Sequence, residues 1–189
     1  MRRLLASSTF LALVLAQSLA GPAFADAGAQ IAGPGFRAPD DATVRGFRTS
    51  LLIGEVTDMH GFDLGLLSLS KSTNLTGFAL VFGVSQLSGT VKGGSGAIVN
   101  LREGSSTGGV VGVINVVDSI RDGANVGFVN STKGYSQVDV GGVSLSQKSR
   151  VQVGVVNVTK EIQSVQIGLI NAADNGFFKV FPFFNYPKK

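Results

Sequence analysis

Val153-Gly154-Val155-Val156-Asn157 is followed, fourteen residues on, by Ile167-Gly168-Leu169-Ile170-Asn171. The same five-residue frame stands earlier as Val111-Gly112-Val113-Ile114-Asn115 and Val126-Gly127-Phe128-Val129-Asn130. Looser copies are Leu64-Gly65-Leu66-Leu67-Ser68, Phe82-Gly83-Val84-Ser85-Gln86, Gly96-Ala97-Ile98-Val99-Asn100 and Val140-Gly141-Gly142-Val143-Ser144. The small position falls at 65, 83, 97, 112, 127, 141, 154 and 168, with spacings of 18, 14, 15, 15, 14, 13 and 14. Fixed-period self-similarity of this kind marks a repeat architecture.

The columns of the repeat carry its chemistry. The residue before the small position is apolar, and the two after it are mostly aliphatic. The third after it is an amide or small polar residue: Ser68, Gln86, Asn100, Asn115, Asn130, Ser144, Asn157, Asn171. Two residues before it stand Asp63, Ser95, Asn125, Asp139, Gln152 and Gln166. Alternation, abundant Val and Ile, and turn signals such as Asp122-Gly123 and Lys133-Gly134 predict strands, so the chain reads as all-β.

Two architectures fit. In a β-solenoid each unit is one coil, equivalent residues stack about 4.8 Å apart, and nine coils make a rod of roughly 40 Å. The glycines Gly65, Gly83, Gly112, Gly127, Gly141, Gly154 and Gly168 then supply corners where a Cβ would clash. Asn100, Asn115, Asn130, Asn157 and Asn171 form a polar ladder. In an antiparallel meander or outer-membrane barrel the frame alternates ends and no column stacks. Recurrence of one frame in divergent copies favours the solenoid.

Residues 1–25 have the form of a secretory signal: Arg2 and Arg3, an apolar run from Leu4 to Leu19, and the cleavage pattern Ala23-Phe24-Ala25. Loss of Arg2 and Arg3 with that signal lowers the formal charge from +4 to +2. The remaining cations are scattered, so no nucleic-acid footprint exists. Residues 26–45, rich in Ala, Gly, Pro and Asp, read as a flexible leader. The β-repeat domain then spans 46–175. Residues 176–189 form an aromatic C-terminal cap around Phe181, Pro182, Phe183 and Phe184, with Pro182 interrupting the ladder at an open edge.

Composition excludes several classes. The chain of 189 residues has no Cys, one His, 26 Gly, 13 Phe and 15% charged residues. Disulfides, thiolate metal sites and a Cys nucleophile are excluded. His60 lies beside Asp58 and Asp63 but has no second His or Cys to complete a metal site. Gly93-Gly94-Ser95-Gly96 lacks the Lys and the following helix of a phosphate loop. No catalytic, cofactor or metal residue is expected. The low charge is read as most positions facing a core or a neighbouring copy.

Gly168-Leu169-Ile170-Asn171, then Gly176-Phe177 and Phe181-Pro182-Phe183-Phe184-Asn185, carry a resemblance. The tandem units closing in this segment resemble bacterial exported, surface-associated repeat proteins of unassigned function. The resemblance covers roughly residues 61–186 and implies export and surface display; the expected final place after export is the periplasm, the outer membrane or the cell surface. The expected role is a non-enzymatic structural or surface-interaction one, with a partner in the cell envelope or at the surface and membrane association left open. The alternative role is that of a small outer-membrane barrel.

Overall fold

The computed structural model describes residues 26–188; the expected signal segment lies outside them. Six strands make one sheet in the order β2-β1-β3-β4-β5-β6. They are β1 (Ala27–Gly33), β2 (Phe36–Ala38), β3 (Thr43–Leu87), β4 (Val91–Thr107), β5 (Val110–Ala173) and β6 (Val180–Asn185). A straight strand of 64 residues, the length of β5, would run about 210 Å. Instead the chain winds, and each turn hydrogen-bonds to the one before.

The winding is parallel. β1 pairs parallel with β3, β3 with β4, and β4 with β5. Leu75 lies opposite Val91, Asn100 opposite Asn115, and Ser106 opposite Ile120. The fold is therefore the β-solenoid, and the antiparallel meander or outer-membrane barrel is overturned. An antiparallel hairpin cannot place Asn100 against Asn115 in the same direction along the chain.

Four inward columns fill each coil. One runs Val44, Met59, Leu75, Val91, Ser106, Ile120, all essentially inaccessible. A second is the position two before the small residue, with Arg48, Asp63, Ala79, Ser95, Val110, Asn125, Asp139, Gln152 and Gln166 buried. The third is Ser68, Ser85, Asn100, Asn115, Asn130, Ser144, Asn157, Asn171, and the fourth includes Ser70, Leu87, Arg102, Val117, Thr132, Thr159 and Ala173. The apolar clusters reach only to Ile120. Beyond it the buried side chains are mostly amides and hydroxyls, with Ile162 and Ala173 the apolar ones.

Four sequence expectations change. Residues 26–45 are not a flexible leader. Ala27 and Ala29 to Ala32 pair with Val44 and Phe47 to Ser50, and β2 folds back antiparallel on β1. Gln30 Nε2 ties that end down by donating to Pro39 O at 3.0 Å and Asp41 O at 2.9 Å. The polar column passes through Ser85, opposite Asn100, and not through Gln86; a bulge between Val81 and Val84 shifts the frame. Val81, not Gly83, stands opposite Ala97. Gly65 faces the side chains of Val81 and Ser68 instead of a neighbouring backbone.

Candidate interaction surface

The amide ladder and the glycine column are one device. Asn100 Nδ2 donates to Asn115 Oδ1 at 2.8 Å, and Asn115 Nδ2 to Asn130 Oδ1 at 3.0 Å. Asn157 Nδ2 donates to Asn171 Oδ1 at 2.8 Å. The same amides also donate across to the next coil: Asn100 to Val111 O, Asn115 to Val126 O, Asn130 to Val140 O and Asn157 to Ile167 O, at 2.9–3.0 Å. The amide occupies the space that a Cβ on the next glycine would need. A Cβ on Gly127 would lie 2.6 Å from Asn115 Nδ2 and 2.6 Å from Gly112 O. Gly112, Gly154 and Gly168 make equally close approaches to the rung before them, and Gly83 approaches Ser68 O.

A second glycine column escaped the sequence reading. Gly46, Gly61, Gly77, Gly93, Gly108 and Gly123 all have positive φ, between 116° and 152°. At Gly108 a Cβ would meet Gly93 O at 2.0 Å. These are the true corner glycines, since an L side chain rarely adopts that backbone. The column was legible as a spacing of 15 or 16 from Gly46 to Gly123, but the flanking residues vary. Phe47, Phe62 and Phe78 follow its first members and stack at 5.8 and 6.0 Å, worth about 0.5–1.5 kcal/mol per pair.

Buried charge is handled in two ways. Arg48 grips Asp63 one coil on, with Nε to Oδ1 at 2.8 Å and Nη2 to Oδ2 at 2.6 Å. Ser70 Oγ donates to the same carboxylate at 2.7 Å. Arg102 has no carboxylate partner among the described residues; its Nη2 donates to Ser95 Oγ and Gly109 O at 2.9 and 3.0 Å. Burial lowers its pKa to about 10. Asp139 receives Ser136 Oγ at 2.8 Å and Ser149 Oγ at 3.3 Å, and burial raises its pKa.

With amides turned in, the aliphatic residues turn out. The low charge, read as most positions facing a core or a neighbouring copy, also reflects this outward strip. Between the second and third inward columns, three positions per coil point outward. The first of these is Val111 (57% exposed), Val126, Val140, Val153 and Ile167. The second is Leu66, Phe82, Ile98, Val113, Phe128 (68%), Val155 and Leu169 (61%), and the third includes Leu67, Ile114 and Ile170. From Leu64 to Ile170 these three positions hold only aliphatic residues, Phe and Gly. The charged side chains lie elsewhere on the surface. There Lys71 pairs with Glu55, Lys133 with Asp118 and Lys148 with Glu161, each between rungs, at 3.0, 3.0 and 2.6 Å.

The expected cap residues Phe181, Pro182, Phe183 and Phe184 lie in β6, antiparallel on the last coil. Phe183 sits opposite Gly168 and Phe184 opposite Ile167. Their rings do not plug the rod: Phe183 is 67% exposed and Phe184 51%. The covering is done by the strand backbone and by Asn185, buried in line with Gln166, whose Nδ2 donates to Phe178 O at 2.9 Å.

The structure does not assemble a centre around His60. Asp63 points inward to Arg48, and Asp58 accepts from Asn74 Nδ2 at 2.8 Å. No cluster of three metal-ligating side chains occurs among the described residues. A shallow groove of about 530 Å³ lies at the N-terminal end, lined by Gly35, Phe36, Arg37, Asp40, Ile53 and Glu55. The outward apolar strip is a continuous surface feature with a chemical character of its own. Exposed apolar patches beyond a few hundred Å² mark interaction sites on monomers. No family model, no curated protein and no solved structure matches the chain.

Proposed function

We propose that this is an exported, non-enzymatic repeat protein with a structural or surface-interaction role, acting through its aliphatic strip. The observation that carries the reading is the inversion itself. A column of buried amides and hydroxyls runs through every rung while Val, Ile, Leu and Phe line one outward strip from Leu64 to Ile170. Leaving so many aliphatic groups in water costs about 25 cal/mol per Å², a standing drive to cover them. Export rests on the basic start, apolar run and Ala23-Phe24-Ala25 pattern. The resemblance to exported surface-associated repeat proteins supports the same direction.

The test is expression of the whole chain in a bacterial host, with cell fractionation and N-terminal sequencing. The expected product begins at Asp26 and is recovered from the exported fractions in association with a partner, a second copy included. Replacing Val113 and Phe128 by Lys is expected to abolish that association. An unprocessed cytoplasmic product, or association untouched by both lysines, overturns the reading.

A further inference from the structure

The rod is protected where it would grow and open along its side. At its first end β2 lies antiparallel on β1, and at its last end β6 lies antiparallel on β5. β6 covers the last edge between Gln166 and Ala172, β2 covers Ile31–Gly33 of the first, and Pro182 removes one donor from the outer strand. Axial joining of copies is thus hindered at both ends. The aliphatic strip has no such guard: among its outward positions stands no Lys, Glu, Asp, Arg or Pro.

We infer that the strip is covered by the strip of a second copy, giving a closed side-by-side dimer; this rests on the surface-interaction reading above. Area is the first argument. Eight rungs at about 4.8 Å, with β6 adding Phe183 and Phe184, run roughly 40 Å, and four residues across are roughly 13 Å wide. Each copy offers on the order of 500–600 Å², so a pair buries about 1,000–1,200 Å², the lower bound for a specific stable interface.

Chemistry is the second argument. A strip without charge selects an occupant without charge, because a charged partner would lose its hydration and find no counter-charge. Anionic lipid headgroups call for cations beside the apolar strip. The columns immediately beside it carry no cation and are mostly apolar, with Val138, Val151 and Val165 on one side and Leu101, Val116 and Leu145, interrupted by Gln86 and Ser131, on the other. An identical strip meets every requirement, and a two-fold pair leaves no further copy to recruit.

The experiment is sedimentation of the purified chain with crosslinking of single-cysteine variants, for which the absence of native Cys is convenient. At about 100 µM the wild-type chain is expected at twice its monomer mass, since micromolar pairs are assembled there. Val113→Lys with Phe128→Lys weakens the pair by at least about tenfold, and the milder Phe128→Ser does so partly, as central apolar anchors do. Circular dichroism and the melting temperature confirm that the coils persist. Val113→Cys crosslinks copies; Arg121→Cys, exposed outside the strip, does not. A monomer at that concentration, or a dimer indifferent to the substitutions, overturns the inference. A monomer taken up by phosphatidylethanolamine–phosphatidylglycerol vesicles through Val113 and Phe128 also overturns it, yet leaves the surface-interaction reading standing. If every association of the exported protein is indifferent to the lysines as well, both fall.

Discussion

At Gly141 a methyl group would sit 2.0 Å from the carbonyl oxygen of Gly127 and 2.8 Å from Asn130 Nδ2, with backbone as the nearest obstacle. Backbone moves only by parting two rungs. Gly141→Ala is therefore expected to cost about 1–3 kcal/mol in urea unfolding, as an overpacked core does. Gly109, with open space where its Cβ would go, should tolerate Ala within about 0.5 kcal/mol. Equal costs would mean that glycine stacking does not set rung spacing. Asp139 gives a pH-dependent test. Burial raises its pKa above the ordinary 3.8, against lowering by hydrogen bonds from Ser136, Ser149, Gln152 and Asn125. The folded state thus holds this proton more tightly than the unfolded one. The stability it contributes is full below 3.8 and is lost as pH rises through the raised folded value. Asp139→Asn extends the amide column toward Gln152 and Gln166, which share a bond at 2.8 Å. Its melting temperature is expected to gain on wild type between about pH 3 and about pH 7. A gap that does not change with pH would show that the carboxyl is not the source.

Among the elements, β6 answers for the chain's behaviour as an edge. A parallel rung left open presents unpaired N–H and C=O groups in a flat row, a template for any other strand. β6 fills that row from Gln166 to Ala172, and Asn171 Nδ2 donates to Phe181 O at 3.3 Å. A chain ending after Ala173 is expected to associate end to end, read as rising thioflavin fluorescence and sedimenting polymers, while the full chain stays closed. An unchanged sedimentation profile would deny β6 its protective part. Strand type and the stacking frame were legible in the sequence because Gly and Asn recur together, from Gly112 to Asn171. What alternation does not encode is direction. Val153, Gly154 and Val155 alternate equally well with either face inward, and the usual assumption puts valine inside. The amide column reverses it, because Asn157 satisfies its donors only from within, on Ile167 O and Asn171 Oδ1. The corner glycines were hidden for another reason. Positive φ is a backbone demand, and beyond the Gly-Phe pairs at Gly46, Gly61 and Gly77 the column has no shared side-chain signature through Gly93, Gly108 and Gly123. The N-terminal rung was missed because Ala-, Gly- and Pro-rich composition imitates a linker.

Taken whole, the molecule has a mixed interior up to Ile120, where apolar clusters sit beside buried Ser, Asn and the Arg48–Asp63 pair, and a largely polar one beyond it, joined without a break in the hydrogen-bonded ladder. Such an array is stabilised rung by rung, each coil meeting only its neighbours. Stability therefore grows with the number of rungs, and the two ends are special only because their antiparallel strands are. The offset between equivalent residues, 15 from Asn100 to Asn115 and 14 from Asn157 to Asn171, then has a further meaning. Duplicating one such unit between the two ends adds about 4.8 Å of rod and one more row of outward aliphatics, and disturbs neither terminus. Gene duplication can thus lengthen the rod and its aliphatic strip together, in equal steps, as a ruler is lengthened by adding divisions.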